Sequence, residues 1–156
     1  MVHQRLSGRT GPGAGRPSKL YLRAARQVEV SLPRRRYELA GELLAAAVEE
    51  ADATGRPVRE SLARRAHDVG ARLGREAGTS DPVPALEAQG FEPRSEQRAI
   101  RLGSCPFHNL ARQHTDLVCG MNLHLLDGLL EGLGCTAYTA RLAPRPDSCC
   151  VVLEPA

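Results

Sequence analysis

The sequence predicts an α+β fold: a helical N-terminal half followed by a small antiparallel sheet packed on a long helix. Three observations predict it. Apolar residues recur at helical spacing through two stretches, 37–55 and 57–73. Short apolar or alternating segments cluster after residue 90, where strand signals take over. A further helical pattern runs from Asp116 to Leu133 and supplies the body against which the sheet would lie.

Element by element, residues 1–18 interleave Gly8, Gly11, Gly13 and Gly15 with Pro12 and Pro17, which no helix can cross. Leu20-Tyr21-Leu22 reads as a short strand, and Gln27 to Leu32 alternates as a half-buried strand does. Pro33 precedes the first helix, whose stripe is Tyr37, Leu39, Ala40, Leu43, Leu44, Ala47 and Val48, ending near Gly55. Pro57 opens the second, with Val58, Leu62, Ala66, Val69 and Leu73 on one face. Pro82 to Gln89 reads as a short third helix closed by Gly90. Phe91–Ser95 and Ala99–Leu102 flank the polar Glu96-Gln97-Arg98 and form a hairpin. Helical patterning returns at Asn109–Gln113 and Asp116–Leu133, and Tyr138–Leu142 and Cys149–Leu153 are strands separated by Pro144 and Pro146.

The chain has 156 residues, enough for one medium domain and an appendage. Hydrophobic residues at 42% and charged ones at 25% exclude wholesale disorder. With 3% aromatics and no Trp, the core must be built from Leu, Ala and Val. No apolar run approaches the about 20 residues of a membrane helix, and the start lacks a secretory signal, so a cytoplasmic protein is expected. Residues 1–36 hold nine basic side chains against one acid, whereas the rest holds 12 basic and 17 acidic groups. A basic arm on an acidic body points to a polyanion such as nucleic acid. Arginine-rich codon usage is the competing source, since 20 of the 21 basic residues are Arg.

All five cysteines lie in the last third: Cys105, Cys119, Cys135, Cys149 and Cys150. In a reducing compartment such clustering points to metal, cluster or redox chemistry. No C-x-x-C pair exists, which excludes a zinc knuckle or ribbon, and any site must be assembled by the fold. Cys105, followed by Pro106, sits at a strand–helix corner. Cys119 shares the long helix's buried stripe with Asn122, Leu126, Leu129 and Leu133. Cys149 and Cys150 are adjacent on a strand, so only one turns inward. Cys135 lies past the helix C-terminus, and the helix from 119 to 133 alone separates its ends by roughly 21 Å at about 1.5 Å per residue. That leaves Cys105, Cys119 and one of Cys149 or Cys150 as soft ligands for an iron–sulfur cluster, copper(I) or zinc. His108, His114 or Asp116 fills a remaining vacancy, and a buried cysteine is otherwise an ordinary small hydrophobe. No nucleophile elbow, phosphate loop or acid–base pair stands out, so no enzyme is expected.

Cys105-Pro106-Phe107-His108-Asn109-Leu110-Ala111-Arg112-Gln113-His114, running on to Leu117-Val118-Cys119, resembles a bacterial regulator group. So do Leu129-Leu130-Glu131-Gly132-Leu133-Gly134 and Cys149-Cys150-Val151-Val152-Leu153. These are SufR-like, ArsR-type winged-helix transcriptional regulators, with a sensor part similar to 4-vinyl-reductase-type domains. The resemblance, over roughly residues 16 to 155, implies a cysteine-held iron–sulfur cluster whose loss or oxidation changes DNA binding. Its ligands would be Cys105, Cys119 and one of Cys149 and Cys150; His108, one turn after Cys105, is the candidate fourth ligand from its position in the sequence. It implies that residues 1–32 are a basic arm, the remnant of a wing, with Arg16, Lys19 and Arg23 on phosphates. Residues 33–156 are then a helical linker and dimerisation region joined to a cysteine-bearing sensor domain. Only 15 residues precede Arg16, too few for a recognition helix, so DNA contact in this chain is expected to be weak or backbone-only. A homodimer through the Ala/Leu-faced helix is expected, although that stripe also suits packing on the chain's own second helix. Two other readings stand beside this one: a small-molecule-binding or zinc-binding module without a cluster, and a thiol redox switch without metal.

Overall fold

A computed structural model of the chain describes His3–Gln4, Leu20–Tyr21 and residues 35–156. The chain separates into one unit ending at Val30 and another beginning at Ser31. In the first, β1 (His3–Gln4) pairs antiparallel with β2 (Leu20–Tyr21), placing His3 opposite Tyr21. This agrees with the strand read at Leu20. The alternation at Gln27–Leu32 lies outside the described residues.

The second unit is α+β, as the sequence predicts. α1 (Tyr37–Thr54) is rich in the strong helix formers Ala, Leu and Glu, and ends where Gly55 takes a left-handed conformation (φ 72°) and donates to the Ala51 carbonyl. Pro57, just outside the helix, sets the entry to α2 (Val58–Glu76). α3 (Pro82–Ala88) is capped by Asp81, whose carboxylate accepts from the Val83 N–H at 3.0 Å, with Pro82 at the position that lacks a helical partner for its nitrogen. β3 (Pro93–Glu96) and β4 (Ala99–Leu102) form the expected hairpin, turning through Gln97 and Arg98. α4 (His108–Gln113) and α5 (Thr115–Gly132) follow, then β5 (Tyr138–Leu142) and β6 (Val151–Pro155).

The four strands pair antiparallel in the order β3-β4-β6-β5, so the last strand inserts between the hairpin and β5. One face packs on α5, with Ile100, Leu102, Val151 and Leu153 in the core beside Leu126, Leu129 and Leu130. On the opposite face Val152 sits in register between Arg101 and Arg141. Val152 is fully buried there, although its face carries charge, because the aliphatic stems of flanking arginines can cover an apolar side chain.

α5 is held on its other side by α2, and the contact is unusually intimate. A methyl group placed on Gly70 or Gly74 of α2 would collide with the carbonyl oxygens of Leu125 and Leu129. One placed on Gly128 or Gly132 of α5 would collide with those of His67 and Ala71. The matched positions advance together (His67 with Gly128, Ala71 with Gly132), so the two helices run parallel with backbones touching. Glycine at i and i+4 on both helices removes the side-chain ridge that keeps ordinary helices about 8–10 Å apart.

α1 buries Ala40, Leu43, Ala47 and Ala51 and packs on α2. The buried Glu50 carboxylate reaches both Arg64 and Arg65 of α2, the latter at 2.6 Å. The Ala/Leu stripe is thus occupied by the chain's own second helix. No helix among the described residues is long and apolar enough to cross a membrane.

Gly128→Ala should destabilise the fold by about 1–3 kcal/mol through overpacking, lowering the thermal midpoint by roughly 2–4 °C per kcal/mol. Gly41→Ala on α1 meets nothing within 4 Å and should leave the midpoint unchanged or raise it. Thermal denaturation followed by circular dichroism compares them. Equal midpoints for the two variants would refute the close helix contact.

Candidate cysteine site

Four of the five cysteines are drawn together from three places in the chain. Cys105 lies at the corner between β4 and α4, as its Pro106 neighbour predicts. Its carbonyl accepts from the His108 N–H at 3.1 Å and from Arg35 Nη1 at 2.7 Å, and fully buried Pro106 and Phe107 anchor the turn. Cys119 occupies the first turns of α5 on the predicted stripe, where Asn122, Leu126, Leu129 and Leu133 are all buried. Cys149 and Cys150 arrive on the chain entering β6.

The sulfurs fall into two couples. Cys119 is bonded to Cys150 as a disulfide, with Cα atoms 6.2 Å apart. Cys149 faces Cys105, and Asn122 Nδ2 donates to the Cys149 sulfur at 3.2 Å. Asn122 is 1% exposed, and its Oδ1 has no partner among the described residues. Both members of the adjacent pair therefore turn to protein partners, contrary to the expectation that only one would. The alternation rule fails because β6 begins at Val151: Cys149 and Cys150 lie in the bend before it. The Cys149 N–H is fixed on the Leu102 carbonyl, and the Cys150 carbonyl accepts from Ala143 N–H, both at 2.8 Å.

Charge is distributed unequally within the thiol couple. The hydrogen bond from Cys149 holds the Cys105 thiol below its ordinary value, against burial, which pushes it up. The Phe107 backbone and the Arg35 charge lower it further. The Cys149 thiol is pushed up, first by that same hydrogen bond and then by burial. The couple therefore carries one negative charge and one proton more readily than two charges, as paired acids do.

The other residues singled out in the sequence sit elsewhere. His108 is exposed at the start of α4, and His114 and Asp116 are also exposed. Cys135 is half-buried beyond the end of α5 and remains a free thiol. Arg16, Lys19 and Arg23 lie outside the described residues. Among the described residues no three His, Cys, Asp or Glu side chains gather as a metal-holding set. Two contributors were missed. Asn122 had a signal, since it is a polar residue on an otherwise apolar stripe. Arg35 had none, because nothing separates it from its neighbours in an arginine run.

Compared with known proteins, the chain matches no family model, no curated protein and no solved structure.

The lowering of Cys105 rests mainly on the Cys149 thiol, and burial works against it. Removing that thiol in Cys149→Ala should move the Cys105 ionisation upward, whereas in the reduced native chain the first thiolate appears below the usual value of about 8.5. Ultraviolet thiolate absorbance against pH measures both. An unchanged first midpoint in Cys149→Ala would contradict the coupling.

Proposed function

We propose that this chain is the sensor portion of a transcriptional regulator that answers to redox or iron–sulfur status through Cys105, Cys119, Cys149 and Cys150. The observation that carries the reading is the gathering of these four sulfurs, and not of Cys135, into two facing couples linked by one peptide bond. Oxidation state at that point ties α5 to the start of β6, so making or breaking the Cys119–Cys150 bond alters how firmly the last strand is held to the helix. A cysteine placed at such a junction couples electron transfer to the position of an element, which is what a redox sensor requires.

An iron–sulfur cluster is the cofactor that the resemblance implies. The donor type suits it, since reduction of Cys119–Cys150 would free two more soft thiols beside the Cys105–Cys149 couple. As placed, no three of these side chains gather as a metal-holding set among the described residues, so loading a cluster would require the sulfurs to regroup. The pairing described above is the form in which those sulfurs are engaged with one another. Cys105, Cys119, Cys149 and Cys150 would hold the cluster, which supplies one-electron redox chemistry when bound. His108, exposed on α4, is not a member of the gathered set. Zinc is the metal alternative for the same thiols. A dithiol–disulfide switch without metal is the second reading, favoured by the Cys119–Cys150 bond itself. A pocket for a bulky organic ligand has less support at these thiols: Cys105 and Cys149 are buried and packed into the core.

The partner we propose is DNA, contacted by Arg16, Lys19 and Arg23 at the phosphate backbone, with the chain acting as a homodimer. The charge of the arm supports the first. For the second, the α1 stripe is already covered by α2, so a dimer would use other surface, such as the α1 face bearing exposed Val48.

Cys119→Ser and Cys150→Ser should each remove the response to oxidation or to cluster loading, while Cys135→Ser should keep it. The readouts are duplex affinity and solution mass for reduced, oxidised and anaerobically reconstituted protein, with iron and sulfide analysed in each. Identical affinity and mass in all states would overturn the sensor reading. On random-sequence duplex, three phosphate contacts give a log–log salt slope of about −2.7. Replacing Arg16, Lys19 and Arg23 by Ala should flatten that slope, and a slope that is unaltered would exclude them as the contacts.

A further inference from the structure

The Cys119–Cys150 bond uses two of the four gathered sulfurs. The other two, Cys105 and Cys149, have no role in that bond, yet they are brought face to face from opposite ends of the domain's C-terminal half. Two independent features surround them. Asn122, on the helix that also carries Cys119, is more than nine-tenths buried and points its amide N–H at the Cys149 sulfur (3.2 Å), leaving Oδ1 without a partner among the described residues. An unsatisfied buried carbonyl is costly, about 1–3 kcal/mol, and a group that brings a hydrogen-bond donor into the site would relieve it. The two sulfurs also differ in access: Cys105 is 7% exposed and Cys149 2%. Arg35 is hydrogen-bonded to the Cys105 carbonyl at 2.7 Å, which puts a guanidinium at the Cys105 end of the couple.

We propose that Cys105 and Cys149 form a second redox couple that consumes small hydroperoxides, with Cys105 as the attacking sulfur, Cys149 as the resolving one and Asn122 as the positioning residue. This couple rests on the redox reading of the site above, with the hydroperoxide as the two-electron oxidant. In the first step the Cys105 sulfur attacks the terminal peroxide oxygen. An S–O bond forms, the O–O bond breaks, and the leaving oxygen departs as an alcohol, or as water from hydrogen peroxide, carrying the thiol's proton. The sulfur loses two electrons and the peroxide gains them. The resulting sulfenic O–H is the donor that Asn122 Oδ1 lacks. In the second step the Cys149 sulfur attacks the Cys105 sulfur, the S–S bond forms, the S–O bond breaks, and hydroxide leaves with the Cys149 proton as water. Asn122 Nδ2 holds the Cys149 sulfur in place for this step.

The full chain, fully reduced and desalted, is titrated with hydrogen peroxide while free thiols are counted. The count should fall from five to one, with Cys105–Cys149 and Cys119–Cys150 both recovered by non-reducing peptide mapping. In Cys119→Ser/Cys150→Ser, where only one couple remains, one equivalent of peroxide should close Cys105–Cys149. In Cys149→Ser, dimedone should label Cys105. Asn122→Leu fills a similar volume and keeps the stripe apolar. It should slow Cys105–Cys149 closure about five- to tenfold, the value of one hydrogen bond, with more dimedone-trapped Cys105 and an unaltered rate of Cys119–Cys150 closure. If Cys105 and Cys149 stay free under peroxide that closes Cys119–Cys150, or if dimedone labels Cys149 in Cys105→Ser as fast as it labels Cys105 in Cys149→Ser, the proposal is overturned. The sensor reading fails separately, when affinity and mass do not change with oxidation, and that result leaves the peroxide chemistry standing.

Discussion

The contact on which the rest of the structure depends is the one between α2 and α5, where four glycines let two helix backbones touch. α5 is the element to which everything else in the domain's C-terminal half refers. The sheet lies on one of its sides and α2 on the other, and both Cys119 and Asn122 project from it. A helix seated on side chains shifts by fractions of an ångström as rotamers change, whereas backbone against backbone leaves little slack. The glycines weaken each helix by about 1 kcal/mol apiece relative to Ala. What they gain is a fixed position for the helix that presents half of the cysteine site.

That fixed position gives the sulfur arrangement its meaning. Cys119 and Asn122 are three residues apart, so they lie on one face of α5. They receive Cys150 and Cys149 respectively. The adjacent cysteines approach in a bend, pinned by hydrogen bonds to Leu102 and Ala143, and each is presented to a different partner. The site is therefore a junction between a rigid helix and the entry to the central strand. Cys105 completes it from the β4–α4 corner, held there by Pro106 and Phe107. Chemistry at any one sulfur is felt by an element boundary, not by a loop free to move away.

Most of the architecture was legible in the sequence because it rests on local rules. Helix periodicity, Pro57, Pro82 and the glycine at 55 marked α1 to α3 to within a residue or two, and the apolar stripe carrying Cys119 was read correctly. The strand order was not legible, since inserting β6 between β4 and β5 is a non-local pairing that no single segment encodes. The start of β6 was misplaced by two residues, and that error alone reversed the reading of the Cys149-Cys150 pair. Before Val151 the chain bends, and period-two reasoning has no purchase on a bend. The glycine ridges at 70/74 and 128/132 were visible as an i, i+4 pattern, but one helix's glycines signify close packing only when a partner's are matched to them. Asn122 falls on the stripe by spacing alone, and only its polarity signals that it must find a partner inside the protein.

The central claim is that the fold sorts four sulfurs into two specific couples and leaves Cys135 out. Its most direct test is disulfide trapping in variants that keep only two cysteines, the others being replaced by serine, with the cross-linked fraction measured after brief oxidation. The 105/149 and 119/150 pairs should close nearly completely. The crossed pairs 105/150 and 119/149, and every pair containing 135, should stay largely open. Efficient closure of a crossed pair, or of any pair with Cys135, would contradict the account.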